Sequence, residues 1–184
     1  LGTPDLIILP GTKNTMEDLL WLRQSGLEAL ICKHAAKGGA VLGICGGFQM
    51  LGQQLRDPLG LEHGGTMAGI GLLPTVTQFE PQKVRTQVKG SFCQCGGVFA
   101  PLSGIPFAGY EIHMGNTDAV GPAGPFTQIC QVNGQELGKP DGVCSGNVCG
   151  TYVHGIFDVP EAARGLVESL CRAKGLDPAQ MAAV

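Results

Sequence analysis

The sequence is short of charge and of aromatic rings. Of its 184 residues, 15% are charged and 5% aromatic, with one Trp and two Tyr. No apolar run approaches the roughly 20 residues of a membrane-spanning helix, so a membrane span is not expected. No Lys/Arg cluster occurs, and the net charge is −3; the electrostatic footprint of a nucleic-acid partner is missing. There is no secretory signal pattern at the start. Eight Cys in a chain of this length are too sparse for a disulfide scaffold, and a reducing, cytoplasmic setting is expected. No phosphate-binding G-x-x-x-x-G-K-[ST] loop is present, so neither ATP nor another cofactor is expected here. Against these scarcities stand 30 Gly and a 43% hydrophobic fraction. The first implies many tight turns and close backbone approaches. The second suits one globular domain over residues 1–184. The chain opens on Leu1 and enters a strand almost at once, which reads as a piece of a longer polypeptide.

Leu6-Ile7-Ile8-Leu9 is a continuous apolar run between Pro4-Asp5 and Pro10-Gly11, the pattern of a strand covered on both faces. Asn14 with Glu17 forms a capping box, and Met16, Leu19, Leu20 and Leu22 supply a helical apolar stripe. Leu27, Leu30 and Ile31 mark a second helix ended by Gly38-Gly39. A strand closes at Ala40-Val41-Leu42, a helix is predicted over 48–55, and Arg56-Asp57-Pro58 ends it. Strand and helix alternate as in an α/β sheet. From Gly69 the texture turns to strands, at 71–77, 83–88 and 107–115, with a hairpin around Asn133-Gly134 and a last strand from Val148 to Val153. Some of these are expected to be antiparallel. Asp158 and Glu161 read as the cap of a closing helix whose buried face is Leu166, Val167 and Leu170.

The stretch with chemical content is Gly43-Ile44-Cys45-Gly46-Gly47. It has the form of a nucleophile elbow with Cys in place of Ser. Small neighbours let the chain turn sharply from strand to helix, presenting the thiol at a helix N-terminus. The helix dipole is expected to lower the thiol pKa, and the Gly46 N–H can face an oxyanion. Of the four His, His154 also follows a strand end, so it can meet Cys45 outside the carboxyl edge of the sheet. A carboxylate to orient that imidazole is not evident. Ile156 stands two residues on, and Asp158 and Glu111 are the candidates for a third member. Cys93, Cys95, Cys144 and Cys149 invite a metal hypothesis, but C-x-C and C-x4-C lack the paired spacing of a zinc site. They read as packing or surface residues, and no metal is expected.

Leu9-Pro10-Gly11-Thr12-Lys13-Asn14-Thr15, Asp18-Leu19, Trp21-Leu22, the Cys45 elbow through Gln49-Met50-Leu51-Gly52, Gly109-Tyr110-Glu111-Ile112-His113-Met114-Gly115 and Gly150-Thr151-Tyr152-Val153-His154-Gly155 together resemble the glutamine amidotransferase domain of the cobyric acid synthases. The resemblance implies a flavodoxin-like class I amidotransferase fold. Its central sheet would be mostly parallel, with helices on both faces and some antiparallel strands in the second half. It implies Cys45 as nucleophile and His154 as acid/base, acting as a dyad. It adds a second oxyanion N–H from the Gly11-Thr12 loop, and Gln49 and Glu111 as glutamine contacts. Phe48 stands where Tyr is common. The implied partners are L-glutamine and a synthetase domain upstream or in trans. That domain would use ATP and Mg to amidate a corrinoid, adenosylcobyrinic acid a,c-diamide, to cobyric acid. The competing expectation is a non-catalytic binding module on the same fold.

Overall fold

The computed structural model describes residues 2–181. The first half runs β1 (Leu6–Leu9), α1 (Thr15–Gln24), α2 (Leu27–Ala36), β2 (Ala40–Ile44), α3 (Gly46–Leu51), β3 (Gln54–Asp57) and β4 (Gly65–Ala68). The second half runs β5 (Thr75–Phe92), a 3-10 turn over Gly97–Leu102, β6 (Pro106–Ala119), β7 (Thr127–Val132), β8 (Gln135–Asp141), β9 (Val143–Ser145), β10 (Val148–Thr151), β11 (Val153–His154), α4 (Pro160–Ala173) and α5 (Pro178–Met181).

A central sheet has the order β1-β2-β10-β9, with β1 and β10 parallel to β2 and β9 antiparallel at the edge. Because side chains alternate along a strand, its apolar sequences feed two cores. Ile7, Leu9, Val41 and Val148 pack with Met16, Leu19, Ile31 and Phe48 from α1, α2 and α3. Ala40, Leu42 and Cys149 face the other way, onto Ala162 and Leu166 of α4, Phe99 of the 3-10 turn, and Phe92, Phe107 and Ile129 of the second sheet. The expected α/β architecture with helices on both faces is the one observed. The carboxyl ends of β2 and β10 lie side by side, pairing Gly43 with Gly150 and Ile44 with Thr151.

The second sheet, order β11-β6-β5-β3-β4 with β7 and β8 branching from β5, is more extensive than expected. Of its pairings only β3 with β5 is parallel. The two strands expected over 71–77 and 83–88 are one long strand, β5. Its ladder with β6 shifts register between Gln78 and Lys83, where Glu80-Pro81-Gln82 interrupts the alternation. The elbow helix stops at Leu51. Gly52 takes an extended conformation, the Gln53 N–H goes to Thr75 O at 2.7 Å, and residues expected to complete the helix form β3.

Asn14 caps α1 as expected, accepting the Glu17 N–H. The β7–β8 turn has positive φ at both Asn133 and Gly134, the type I′ signature. The closing helix departs from expectation. Its N-cap is Val159 with no side-chain bond and Pro160 in the first turn, because Pro there has no N–H to satisfy; Asp158 does not cap it. Val167 is 55% exposed while Ala162, Leu166 and Cys171 are buried. Among the described residues no helix is long and apolar enough to cross a membrane.

Candidate active site

β2 delivers Cys45 to the centre of the sheet's carboxyl edge. Cys45 has φ 54 and ψ −112, a left-handed conformation that costs a non-glycine residue about 1–2 kcal/mol. The surroundings impose it. The Cys45 N–H is held by Thr151 O at 2.8 Å and the Gly47 N–H by Pro10 O at 3.1 Å. A Cβ on Gly43 would lie 2.6 Å from the Phe48 backbone, and one on Gly47 2.1 Å from Leu9 O. The sequence G-I-C-G-G is therefore the form that lets α3 fold back onto β1 and β2. Phe48, 2% exposed, seats its ring on Gly150, where a Cβ would come within 2.1 Å, and meets Tyr152 edge-on at 5.3 Å.

His154 arrives on β11, paired to Tyr110 of β6, and the two rings stack with centroids 5.1 Å apart. Gly11 shows that the two expected residues meet. A Cβ there would lie 2.8 Å from His154 Cε1 and 3.5 Å from Cys45 Cβ. Both line one cavity of about 410 Å³, together with Gly11, Thr12, Lys13, Thr15, Gln49, Glu62, Lys83 and Tyr110. Thr12 sits against the elbow, its backbone nitrogen 3.1 Å from the position a Gly46 Cβ would take. Two backbone N–H groups, of Thr12 and Gly46, are thus brought together beside the thiol. Asp158 lies close to Gly155 and is not part of the cavity lining. In its place a main-chain carbonyl serves the pair: the Cys45 thiol donates to Ile112 O at 3.4 Å, and the same carbonyl holds the His154 pKa up against burial.

The electrostatics correct the expected thiolate. Burial pushes the Cys45 thiol above its ordinary value, the Gly46 N–H offsets this in part, and the Glu62 carboxylate raises it further. Burial also pushes His154 down. A six-residue helix does not outweigh desolvation. Both shifts favour a thiol and a neutral imidazole at neutral pH; the thiol's own hydrogen bond goes to Ile112 O, and His154 Nε2 is buried without a partner. Alkylation of Cys45 by iodoacetamide is accordingly expected to keep rising from about pH 6 to beyond pH 9. A plateau already reached by about pH 7 would instead reveal a thiolate–imidazolium pair.

Residues 1–162 match the CobB/CobQ-like glutamine amidotransferase domain. The chain belongs to this family. It is 53% identical over 180 residues to the cobyric acid synthase of Ruminiclostridium cellulolyticum, covering 96% of this chain and 35% of that one. It is 43% identical over 181 residues to the cobyric acid synthase of Lachnoclostridium phytofermentans, covering 95% and 35%. The chain thus spans about a third of the length of these relatives. Among solved structures, PurLQS from Thermotoga maritima superposes with a TM-score of 0.65 at 19% identity, over 95% of this chain and 82% of that one. A glutamine amidotransferase structure gives 0.56 at 16%, over 90% and 79%. At these identities the two structures show a shared fold.

Within the amidotransferase domain, Gln49 and Glu111 have commitments of their own. Gln49 reaches the cavity wall, yet its amide oxygen accepts the Thr15 hydroxyl at 2.9 Å. Its nitrogen donates to Met114 O at 2.9 Å and to the Tyr152 hydroxyl at 3.1 Å. This buried network, in which Tyr152 also meets Thr117, ties α3 to β6 behind the thiol. Glu111 is 1% exposed and lies outside the cavity lining, holding Lys139 at 2.9 Å and the Thr86 hydroxyl at 3.0 Å.

Glu62 is the cavity residue that sequence reasoning missed. Its carboxylate accepts the Met16 N–H at the start of α1 at 3.0 Å, a favoured place for negative charge, and burial raises its pKa. The loop that carries it is wound on Asp57. That carboxylate, fully buried, accepts the N–H groups of Leu61, Glu62, His63 and Gly64 at 2.8–3.0 Å. Burial pushes the Asp57 pKa up, but the four N–H groups outweigh it and hold it below the ordinary carboxylate value. Its contribution to stability is therefore complete above the unfolded-state pKa of about 3.9 and is lost as pH falls through the lower, folded-state value. Asp57→Ala strands several buried N–H groups and is expected to cost about 3 kcal/mol in denaturant unfolding at neutral pH. Asp57→Asn should flatten the loss of stability in acid.

Proposed function

We propose that the domain hydrolyses L-glutamine through a glutamyl thioester on Cys45 and releases ammonia for an amidation elsewhere. The observation that carries this reading is the convergence of Cys45, His154 and Thr12 on one small cavity, with the backbone nitrogen of Thr12 close to Gly46. His154 takes the thiol proton as Cys45 Sγ attacks the side-chain amide carbon. The carbonyl oxygen gains negative charge and is met by the two N–H groups; a donor of this kind contributes about 3 kcal/mol to the transition state. The tetrahedral adduct breaks its C–N bond, the nitrogen takes the proton held by His154, and ammonia leaves. Water, deprotonated by the same imidazole, then attacks the thioester carbon. Glutamate departs and the proton returns to sulfur.

The cavity suits an amino acid. Glu62 is placed for the α-ammonium group, and Lys13 and Lys83, also on the lining, suit the α-carboxylate. Glu62→Gln is expected to raise KM for glutamine by roughly 10- to 100-fold, the worth of one charge-assisted hydrogen bond, with a smaller change in kcat. Glutamate release measured against glutamine concentration checks it. An unchanged KM would remove Glu62 from the substrate site.

The relatives named cobyric acid synthase are about three times as long as the match. We assign to that additional chain, supplied in cis or in trans, a synthetase using ATP and Mg. There the released ammonia would amidate adenosylcobyrinic acid a,c-diamide to cobyric acid, in cobalamin biosynthesis.

A further inference from the structure

Three cysteines that sequence spacing left unconnected converge on the far side of the central sheet. Cys144 and Cys149 stand opposite each other on the antiparallel strands β9 and β10, and the loop after β5 brings Cys95 over them. The three sulfurs lie within 4.8 Å of one another, and the Cys149 thiol donates to the Cys144 sulfur at 2.6 Å. None of them lines the Cys45 cavity. We propose that Cys95, Cys144 and Cys149 form a binding site for a thiophilic divalent cation, Zn²⁺ being the fitting ion, which clamps the 93–97 loop onto the β9–β10 hairpin.

The first support is geometric. Zn–S bonds of about 2.3 Å place tetrahedrally arranged sulfurs roughly 3.8 Å apart, so the Cys144 and Cys149 sulfurs, 2.6 Å apart, need to separate by about 1.2 Å, and Cys95 is already within reach. The second is chemical. Cys149 is fully buried and Cys95 is 9% exposed, among Phe92, Phe99 and Phe126. Crowding three thiols without a common partner gives little return there, whereas thiolates on a cation balance its charge. The third is the surrounding backbone. Asn147 at the β9–β10 turn fixes the cradle, accepting the Val98 N–H at 3.4 Å and donating to Gly38 O at 2.6 Å.

Binding would form three S–metal bonds, with any thiol proton displaced from a ligating sulfur passing to solvent. The three thiolates leave one coordination position. Cys93 is two residues from Cys95 and half-buried, which makes it the protein group nearest in sequence; solvent is the other occupant.

The test is titration of the reduced, metal-free chain with Co²⁺, read by sulfur-to-cobalt charge-transfer absorption, followed by displacement with Zn²⁺. The expected result is one equivalent of Co²⁺ bound through sulfur and full displacement by Zn²⁺. Affinity should fall at least about a hundred-fold in Cys144→Ser and in Cys95→Ser, and should be unchanged in Cys45→Ala. Cys144 is the safer position, being only partly buried, and circular dichroism confirms that its variant is folded. Absence of the charge-transfer band in the reduced wild-type chain would overturn the proposal. So would a band that survives both serine variants, or a Cys144–Cys149 disulfide persisting under reductant with no metal bound. A Cys93→Ser variant assigns the fourth position: weakened binding gives it to Cys93, and unchanged binding with the three-cysteine requirement intact gives it to solvent. Because Cys45 plays no part, the outcome is independent of the glutaminase reading.

Discussion

Cys45→Ala is expected to reduce glutamine hydrolysis by at least about a thousand-fold, to the level of uncatalysed background, while leaving the fold intact. The size follows from the chemistry: without the sulfur there is no acyl acceptor, and the remaining groups can only orient a water. The fold should tolerate the change because Ala keeps the Cβ and loses the sulfur's interactions with Ile112 O and the Gly46 N–H. The left-handed backbone at position 45 is strained for Ala as for Cys, so melting temperature should move little. Steady-state glutamate release and a thermal melt on the same sample check both halves. Retained hydrolysis would take the nucleophile away from Cys45, and loss of both activity and fold would leave its chemical role unproven by this variant.

Gly47→Ala should give the largest structural effect of any single methyl group added to the elbow. The new Cβ would stand 2.1 Å from Leu9 O and 2.5 Å from Leu9 C. These are backbone atoms of β1, already bonded into the central sheet, so relief requires α3 to separate from the sheet. Overpacking of this kind is expected to cost roughly 3 kcal/mol or more, or about 6–12 °C in melting temperature for a chain of this size. It should also move Cys45 away from Gly11 and so remove activity. Gly124→Ala is the matched control: nothing lies within 4 Å of its Cβ position, and its stability should stay within about 0.5 kcal/mol of the wild type. Equal melting temperatures for the two variants would mean that the elbow is looser than its contacts imply.

The parts of the site legible in sequence are those set by local sterics. Gly43, Cys45, Gly46 and Gly47 announce a strained strand-to-helix turn because few other residues fit there. His154 could be matched with Cys45 because β10, which runs beside β2 in the central sheet, leads directly into β11, where His154 sits against β6. The parts that were not legible depend on how distant segments close. Glu62 enters the cavity only because Asp57 gathers four N–H groups of the following loop. The sequence signal is Asp57-Pro58 followed by Gly60 and Gly64, turn chemistry that equally fits a helix end. The thiol's electrostatics depart from expectation for a related reason: helix position can be read in a sequence, but the depth of burial cannot. The cysteine cluster joins segments from β9, β10 and the loop after β5, so its spacing along the chain carries no metal-site pattern. The length of β5 was hidden by Glu80-Pro81-Gln82, which looks like a strand boundary and is a register shift within one ladder.

The most direct test of the central claim is intact-mass analysis of the chain treated with the diazoketone analogue of glutamine, with and without excess glutamine. The geometry around Cys45 predicts a single adduct, mapped to Cys45, slowed by glutamine and absent from Cys45→Ala. Adducts distributed over several of the eight cysteines and indifferent to glutamine would contradict the assignment of this cavity as a glutaminase site.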